Sequence, residues 1–292
     1  MKLVARTVSI LTLGLVLAAC GGERRRATEG TRPESNKPVT IKGSDTMVIL
    51  TQRLAEEYMK RTPGSVLQVN GGGSGTGIAA LINGSIDLAM ASRPMKDEEK
   101  QQAAKSRGAE IVEQAVALDG LGVFVHEANP VHALTVAQLK DIFQGKTKNW
   151  KEVGGADAPI ILYGRESSSG TYDYFREHVL EKGDFAPAVQ TLQGTAAIIN
   201  AVGRDRNGIG YGGIAYAKDV RPLAIAAAGK PAVAPSEATV ADNSYPLSRK
   251  LFFYYPKNAP PRVSEFVLWS LTTDAQALVT KVGYFPLQNP GK

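Results

Sequence analysis

The 292-residue chain has a single cysteine, Cys20, so no intrachain disulfide is available and the fold must be held by its core. Histidine is almost as scarce. His126, His132 and His178 are the only three, none stands in metal-ligand spacing, and each reads as a surface residue. No Gly-x-Ser-x-Gly elbow and no Gly-x-x-x-x-Gly-Lys-Ser/Thr loop occurs. The 71–77 run does not give Gly-x-Gly-x-x-Gly; its nearest match, Gly75, Gly77 and Ala80, sits in the wrong part of the turn. The paired acids Glu56-Glu57 and Glu98-Glu99 fall on solvated helix faces. Without a nucleophile–base pair or a metal cluster, an enzyme such as a phosphatase lacks its machinery, and no cofactor or metal is expected.

Charge of one sign is also missing from the folded part. The formal net charge is +6; without Lys2 and Arg6 it is +4, and without the five basic and three acidic residues of the following tether it is +2 for residues 38–292. No basic run is interleaved with aromatics, which disfavours nucleic acid as a partner. Long apolar runs are confined to the start. Lys2 and Arg6 precede a 12-residue apolar stretch, Val8 to Ala19, too short to span a bilayer and suited to a signal peptide over 1–19. The stretch ends in Leu17-Ala18-Ala19-Cys20-Gly21, which resembles a bacterial lipobox, so Cys20 is the expected lipidation site and the membrane is reached through that lipid. Residues 20–37, with Glu23-Arg24-Arg25-Arg26 and little that is apolar, read as a flexible tether.

Strand-like and helix-like runs then alternate, which argues for an α/β protein with a parallel sheet. Val39 to Lys42, Val66 to Val69, Ile86 to Ala91 and Ile111 to Val116 read as strands. Helices follow from Ser44 or Asp45 to about Lys60, after the 71–77 loop, and from Lys96 to Ser106. Ala117 to Gly120 interrupts, and Leu121 to Val125 reads as a new strand. Residues 226–246, rich in Ala and Pro, resist assignment; Lys250 to Tyr255 is a strong strand, with two helices after it.

Three times a strand-like run ends in Gly, Ser and Thr and opens into a helix: Gly43-Ser44-Asp45-Thr46, Gly73-Ser74-Gly75-Thr76-Gly77 and Ser168-Ser169-Gly170-Thr171. Each places backbone N–H groups and short hydroxyls at a strand's C-terminal end, where a helix N-terminus attracts anions. Arg93 and Arg165, also at strand ends, add full charge; an Arg at 165 can clamp an oxyanion with two parallel bonds. Any one loop is equally well a simple N-cap, so the reading of a tetrahedral-anion receptor depends on the three converging.

In combination and order, Lys42-Gly-Ser-Asp-Thr-Met47, Gly71 to Gly77, Ala91-Ser-Arg-Pro94 and Arg165-Glu-Ser-Ser-Ser-Gly-Thr171 resemble the PstS family of extracytoplasmic phosphate-binding proteins that feed an ABC transporter. Asp119 to Val125 and Ile209 to Tyr216 are similar to family segments as well, and the resemblance covers nearly all of 39–287. It implies a two-lobed, type II periplasmic-binding-protein-like fold with a hinge and an interdomain cleft. Lobe 1 is expected over 38–117 plus 247–292, and lobe 2 over 118–246. The implied partners are inorganic phosphate and the permease subunits, and the implied state is a lipid-anchored monomer in the cell envelope. By position, Ser44, Thr46 and the Met47 N–H bind from the first loop, Ser74 from the second, and Arg165, Ser169, the Gly170 backbone and Thr171 from the third. One departure stands out. The enterobacterial pattern has Ser-Asp where this chain has Ser92-Arg93, and that Asp accepts the proton of bound phosphate and repels sulfate. Either Asp45 or Asp119 supplies the acceptor here, with Asp119 preferred for its place at the interdomain crossing, or selectivity against sulfate is reduced. The alternatives are a receptor for sulfate or molybdate, a phosphate-ester hydrolase, and a receptor that serves a sensor.

Overall fold

The computed structural model describes residues 37–288. The expected signal peptide and Cys20 lie outside the described residues, as does all of the expected tether but Lys37. Strand β1 (Val39–Gly43) leads through a 3-10 turn, Asp45–Met47, into α1 (Val48–Arg61), and β2 (Leu67–Asn70) into α2 (Ser74–Ile82). Strand β3 (Leu88–Ala91), α3 (Asp97–Arg107) and β4 (Ile111–Val125) complete the first half. The second half runs through β5 (Ala133–Thr135), α4 (Val136–Phe143), β6 (Ile161–Arg165), α5 (Gly170–His178), β7 (Gln190–Leu192), α6 (Thr195–Arg204), β8 (Gly208–Gly213) and β9 (Arg221–Pro222). Short β10 (Ala224–Ala226), β11 (Ala232–Val233) and α7 (Glu237–Ala241) fill the stretch that sequence patterning left open. Strand β12 (Ser248–Pro256), α8 (Pro261–Ser270) and α9 (Thr273–Val282) then return to the first half.

Among the described residues nine strands form one curled sheet in the order β2-β1-β3-β12-β4-β8-β6-β7, with β9 also on β4. The expected parallel pairing holds for β1 with β2 and β3, and for β6 with β7 and β8. The centre departs from it. Strand β12 is antiparallel to both β3 and β4, and β4 is antiparallel to β8. Because β12 returns from the second half, it enters between two strands of the first half running the other way.

Strand β4 corrects a second expectation. The interruption at 117–120 is no break: the strand runs unbroken through it, pairing β12 up to Gly120 and β8 from Leu121. Asp119 disturbs the apolar pattern, but Arg249 stands opposite it in register and takes up its charge, so the ladder continues. Strand β12 is buried on both faces. Leu251, Phe253 and Tyr255 enter a core with α1, α8 and α9, whereas Phe252 and Tyr254 enter one with α2 and α3. Such two-sided burial produces an unbroken apolar run instead of alternation, and each large side chain removed from water stabilises by roughly 1.5–3 kcal/mol. A separate core, with Phe143, Trp150, Phe175 and Tyr211, lies in the second half.

The helix starts follow the local sequence. Thr135 accepts from the Gln138 N–H while the Gln138 side chain accepts from the Thr135 N–H, a reciprocal cap at the head of α4. Gly108 closes α3 in a left-handed conformation.

Candidate functional site

The three Gly/Ser/Thr loops converge. Thr46 Oγ1, from the turn after β1, lies 2.9 Å from Thr171 Oγ1, in the first turn of α5. Ser92 Oγ is 3.4 Å from both Thr171 Oγ1 and Ser74 Oγ. Its backbone N–H also donates to Ser74 Oγ at 3.1 Å. All four residues are fully buried. Thr46, Ser74 and Ser92 come from the β1–β3 half and Thr171 from the other, so the cluster exists only where the two halves meet. Hydroxyls both donate and accept, so such a group can turn its hydrogens toward an oxyanion from several sides.

Glycine makes that approach possible. Gly73 has φ of 92°, a left-handed value, and a side chain there would meet the Ser168 carbonyl oxygen at 2.5 Å. The neighbouring Gly75 N–H donates to the same carbonyl at 2.9 Å, a main-chain bond between the two halves. Gly170 opens α5 against Ser74 and Ser92 with no room for a Cβ. Two phenols hold the first loop in place: Tyr216 donates to the Asp45 carbonyl at 2.7 Å, and Tyr284 donates to that of Thr46. Burial pushes the Tyr216 hydroxyl up to about 12 and the Tyr284 hydroxyl well above its ordinary value, so both remain donors.

The other residues expected at the site have protein partners of their own. Ser44 is buried, but its carbonyl accepts the Met47 N–H at 3.0 Å, so that N–H is spent inside the 3-10 turn. Ser169 caps α5, accepting from the Thr171 and Tyr172 N–H groups and keeping its own hydrogen to donate. Arg165 lays its Nε and Nη2 on Glu166 at 2.9 and 2.8 Å. Its Nη2 also reaches Asp45 Oδ2 at 2.9 Å, and Nη1 donates to Thr195 Oγ1 at 2.9 Å. The fork expected to clamp an oxyanion therefore grips a carboxylate.

Arg93 spends its guanidinium on partners outside the hydroxyl cluster. It donates twice to Glu99 at 2.8 Å, once to Asp173 at 2.8 Å and once to the Pro94 carbonyl. Burial works against its charge, but the bonds from Glu99 and Asp173 raise its pKa overall, and Glu99, burial notwithstanding, is lowered in return. Asp173 belongs to α5, so this ion pair joins the two halves, as Arg165–Asp45 also does.

Asp119 is fully buried, and its Oδ2 accepts from Arg249 Nε at 2.9 Å and Nη2 at 2.7 Å. Oδ1 accepts the Ile214 N–H at 3.1 Å. Burial pushes its carboxyl up, against the pull of Arg249 and of that N–H. Arg249 itself went unnoticed in the sequence, as did the hydroxyl of Ser92. Its Nη1 donates to Thr171 Oγ1 at 3.1 Å and to the Ser92 carbonyl at 3.2 Å, and its Cζ lies 5.5 Å from the centre of the Tyr174 ring. The signal that could have found it is its place at the head of the strong strand 250–255, beside the polar position of β4. Among the described residues no group of three or more His, Cys, Asp or Glu could hold a metal ion, and no helix is long and apolar enough to cross a membrane.

Comparison with known proteins places this geometry. The profile of the PBP superfamily domain matches residues 25–274. The phosphate-binding protein PstS of Pseudomonas aeruginosa is 38% identical over 263 residues, covering 84% of this chain and 81% of that protein. A Clostridium perfringens protein solved with bound phosphate superposes with a TM-score of 0.78 at 32% identity, covering 86% of this chain and 100% of that one. An ABC-type phosphate transport receptor from Vibrio cholerae gives a TM-score of 0.69 at 30% identity, covering 85% and 99%. The fold is that of the two-lobed periplasmic binding proteins, and the chain belongs to the PBP superfamily and, within it, to the PstS family.

Proposed function

We propose that this protein is the extracytoplasmic substrate-binding component of a phosphate ABC transporter, a receptor and not an enzyme, which captures inorganic phosphate between two lobes and presents it to the permease. The observation that carries the reading is the convergence of Thr46, Ser74, Ser92 and Thr171 hydroxyls on one buried point between the halves. A phosphate there would take hydrogen bonds from these hydroxyls, from Ser169, and from the N-terminus of α5 at Gly170, where the helix dipole favours negative charge. Arg165 adds charge from the Asp45 side. The relatives named for phosphate support the ligand.

The first lobe comprises about 38–117 with 247–292 and the second about 118–246. Opening hinges where β4 and β12 cross between them, and ligand shifts the equilibrium toward the closed form. Calorimetry on the purified protein, stripped of bound anion, should show tight phosphate binding, with sulfate titrated alongside to read the selectivity. Absence of heat with both anions would sink the reading, and equal binding would make it a general oxyanion receptor. Cys20 carries the lipid that holds the protein, acting as a monomer, to the membrane. Labelling with a radioactive fatty acid should mark the wild-type protein and not Cys20→Ser; equal labelling of both would move the anchor elsewhere or remove it.

A further inference from the structure

Three guanidinium groups stand near the hydroxyl cluster, and their surroundings differ in net charge. Arg93 is flanked by two carboxylates, Glu99 and Asp173. Arg165 is flanked by two as well, Asp45 and Glu166. Each of these sets carries a net negative charge when all its members are ionised, so the pull of either arginine on a further anion is partly offset. Arg249 has one carboxylate, Asp119, whose other oxygen is already held by the Ile214 N–H. Of the three, Arg249 is also the one that donates into the cluster itself, through Nη1 to Thr171 Oγ1.

We propose that Arg249 is an anion-contacting and specificity-determining residue of this site, and that Asp119 is its positioning residue instead of the acceptor that reads the phosphate proton. This rests on the phosphate reading above. When an oxyanion enters beside Thr171, the Nη1–H now on the threonine hydroxyl turns to an anion oxygen, and Thr171 is freed to donate its own hydrogen. Asp119 fixes the guanidinium by taking Nε and Nη2 on one oxygen, and the Tyr174 ring limits its movement on a further side. The Tyr174 hydroxyl donates to the Ser248 carbonyl at 2.7 Å, which ties the ring to the residue before Arg249. Asp119 thus spends both oxygens on protein donors, and the positive end of the Asp119–Arg249 pair faces the ligand. A charge presented this way favours the dianion of phosphate over the monoanion.

Removing Arg249 alone strands the Asp119 charge, so the test compares Asp119→Asn with Asp119→Asn/Arg249→Gln. Asp119→Asn retains the guanidinium and is expected to bind phosphate within about tenfold of wild type. The double variant is expected to bind on the order of 100-fold more weakly than Asp119→Asn, the size of one lost charge-assisted bond at a buried site. That loss should be larger at about pH 8 than at about pH 6, because the dianion dominates at the higher pH; a merely structural defect lowers affinity alike at both. Arg249→Lys keeps a charge beside Asp119 and so keeps the fold, and is expected to bind about tenfold more weakly than wild type. Phosphate affinities within about threefold between Asp119→Asn and the double variant, or wild-type affinity in Arg249→Lys, would overturn the assignment. Failure of the wild-type protein to bind phosphate would instead overturn the functional reading on which it rests.

Discussion

Gly170→Ala should weaken phosphate binding by roughly 100-fold while leaving the melting temperature close to that of the parent protein. A Cβ at this position would lie 2.3 Å from Ser74 Oγ, 2.9 Å from Ser74 Cβ and 2.9 Å from Ser92 Oγ. Rotating the serine hydroxyl relieves the first contact but not the second, because the Ser74 Cβ is fixed to the first turn of α2. The collision lies between α5 of the second half and α2 of the first, so on the proposed hinge motion it raises the energy of the closed form and leaves the core of each half untouched. Strain of about 3 kcal/mol confined to one state lowers the apparent affinity by the fraction of closed molecules it removes. Calorimetry reads the affinity, and small-angle scattering with saturating phosphate should show the variant remaining more extended than wild type. Unchanged binding would mean that the ligand is held without this contact between lobes.

Arg249→Ala should be the most destabilising single substitution in the site. Asp119 has no exposed surface, and removing one partner of a buried ion pair costs about 3–5 kcal/mol because the remaining charge is left uncompensated. For a chain of this size that lowers the melting temperature by on the order of 10 °C. The pH dependence identifies the cause. Burial already raises the Asp119 carboxyl, and without Arg249 it rises further. For an acid whose folded pKa is raised, the penalty is full above the folded value and disappears below the unfolded one. The deficit should therefore be greatest at neutral pH and shrink as the solution is acidified. Asp119→Asn/Arg249→Gln, which removes both charges, should recover most of the loss. A deficit that stays constant with pH would assign the effect to lost packing against Tyr174.

The three Gly/Ser/Thr loops could be read from sequence because each carries its local structure in consecutive residues: glycine for close approach, a hydroxyl, and a helix start behind them. Convergence of Thr46, Ser74 and Thr171 then followed because β1 and β2 run toward the seam from one half and β6, which runs the opposite way in the sheet, from the other. What local pattern could not convey was direction. Arg93 and Arg165 are placed at strand ends as expected, yet their guanidinium groups answer to Glu99, Asp173, Asp45 and Glu166, partners defined by tertiary packing. Arg249 was hidden for a related reason. It has no glycine-rich signature, and its meaning depends on standing opposite Asp119, 130 positions earlier in the chain. The unbroken course of β4 was obscured by the same pair, since an aspartate within an apolar strand reads as an interruption until its arginine is found.

The position of β12 between β3 and β4 bears on how the chain acquires its structure. Strands β3 and β4 are close in sequence but do not pair with each other; the strand that bridges them is the last of the chain's twelve described strands. Until Ser248 to Pro256 has emerged, the β12-facing edges of β3 and of the first part of β4 are unpaired, and the apolar faces awaiting Phe252 and Phe253 are uncovered. Contacts of such long sequence separation are slow to form. The first half therefore cannot complete its part of the sheet before the second half has been made, so the two halves acquire their structure together and not in succession.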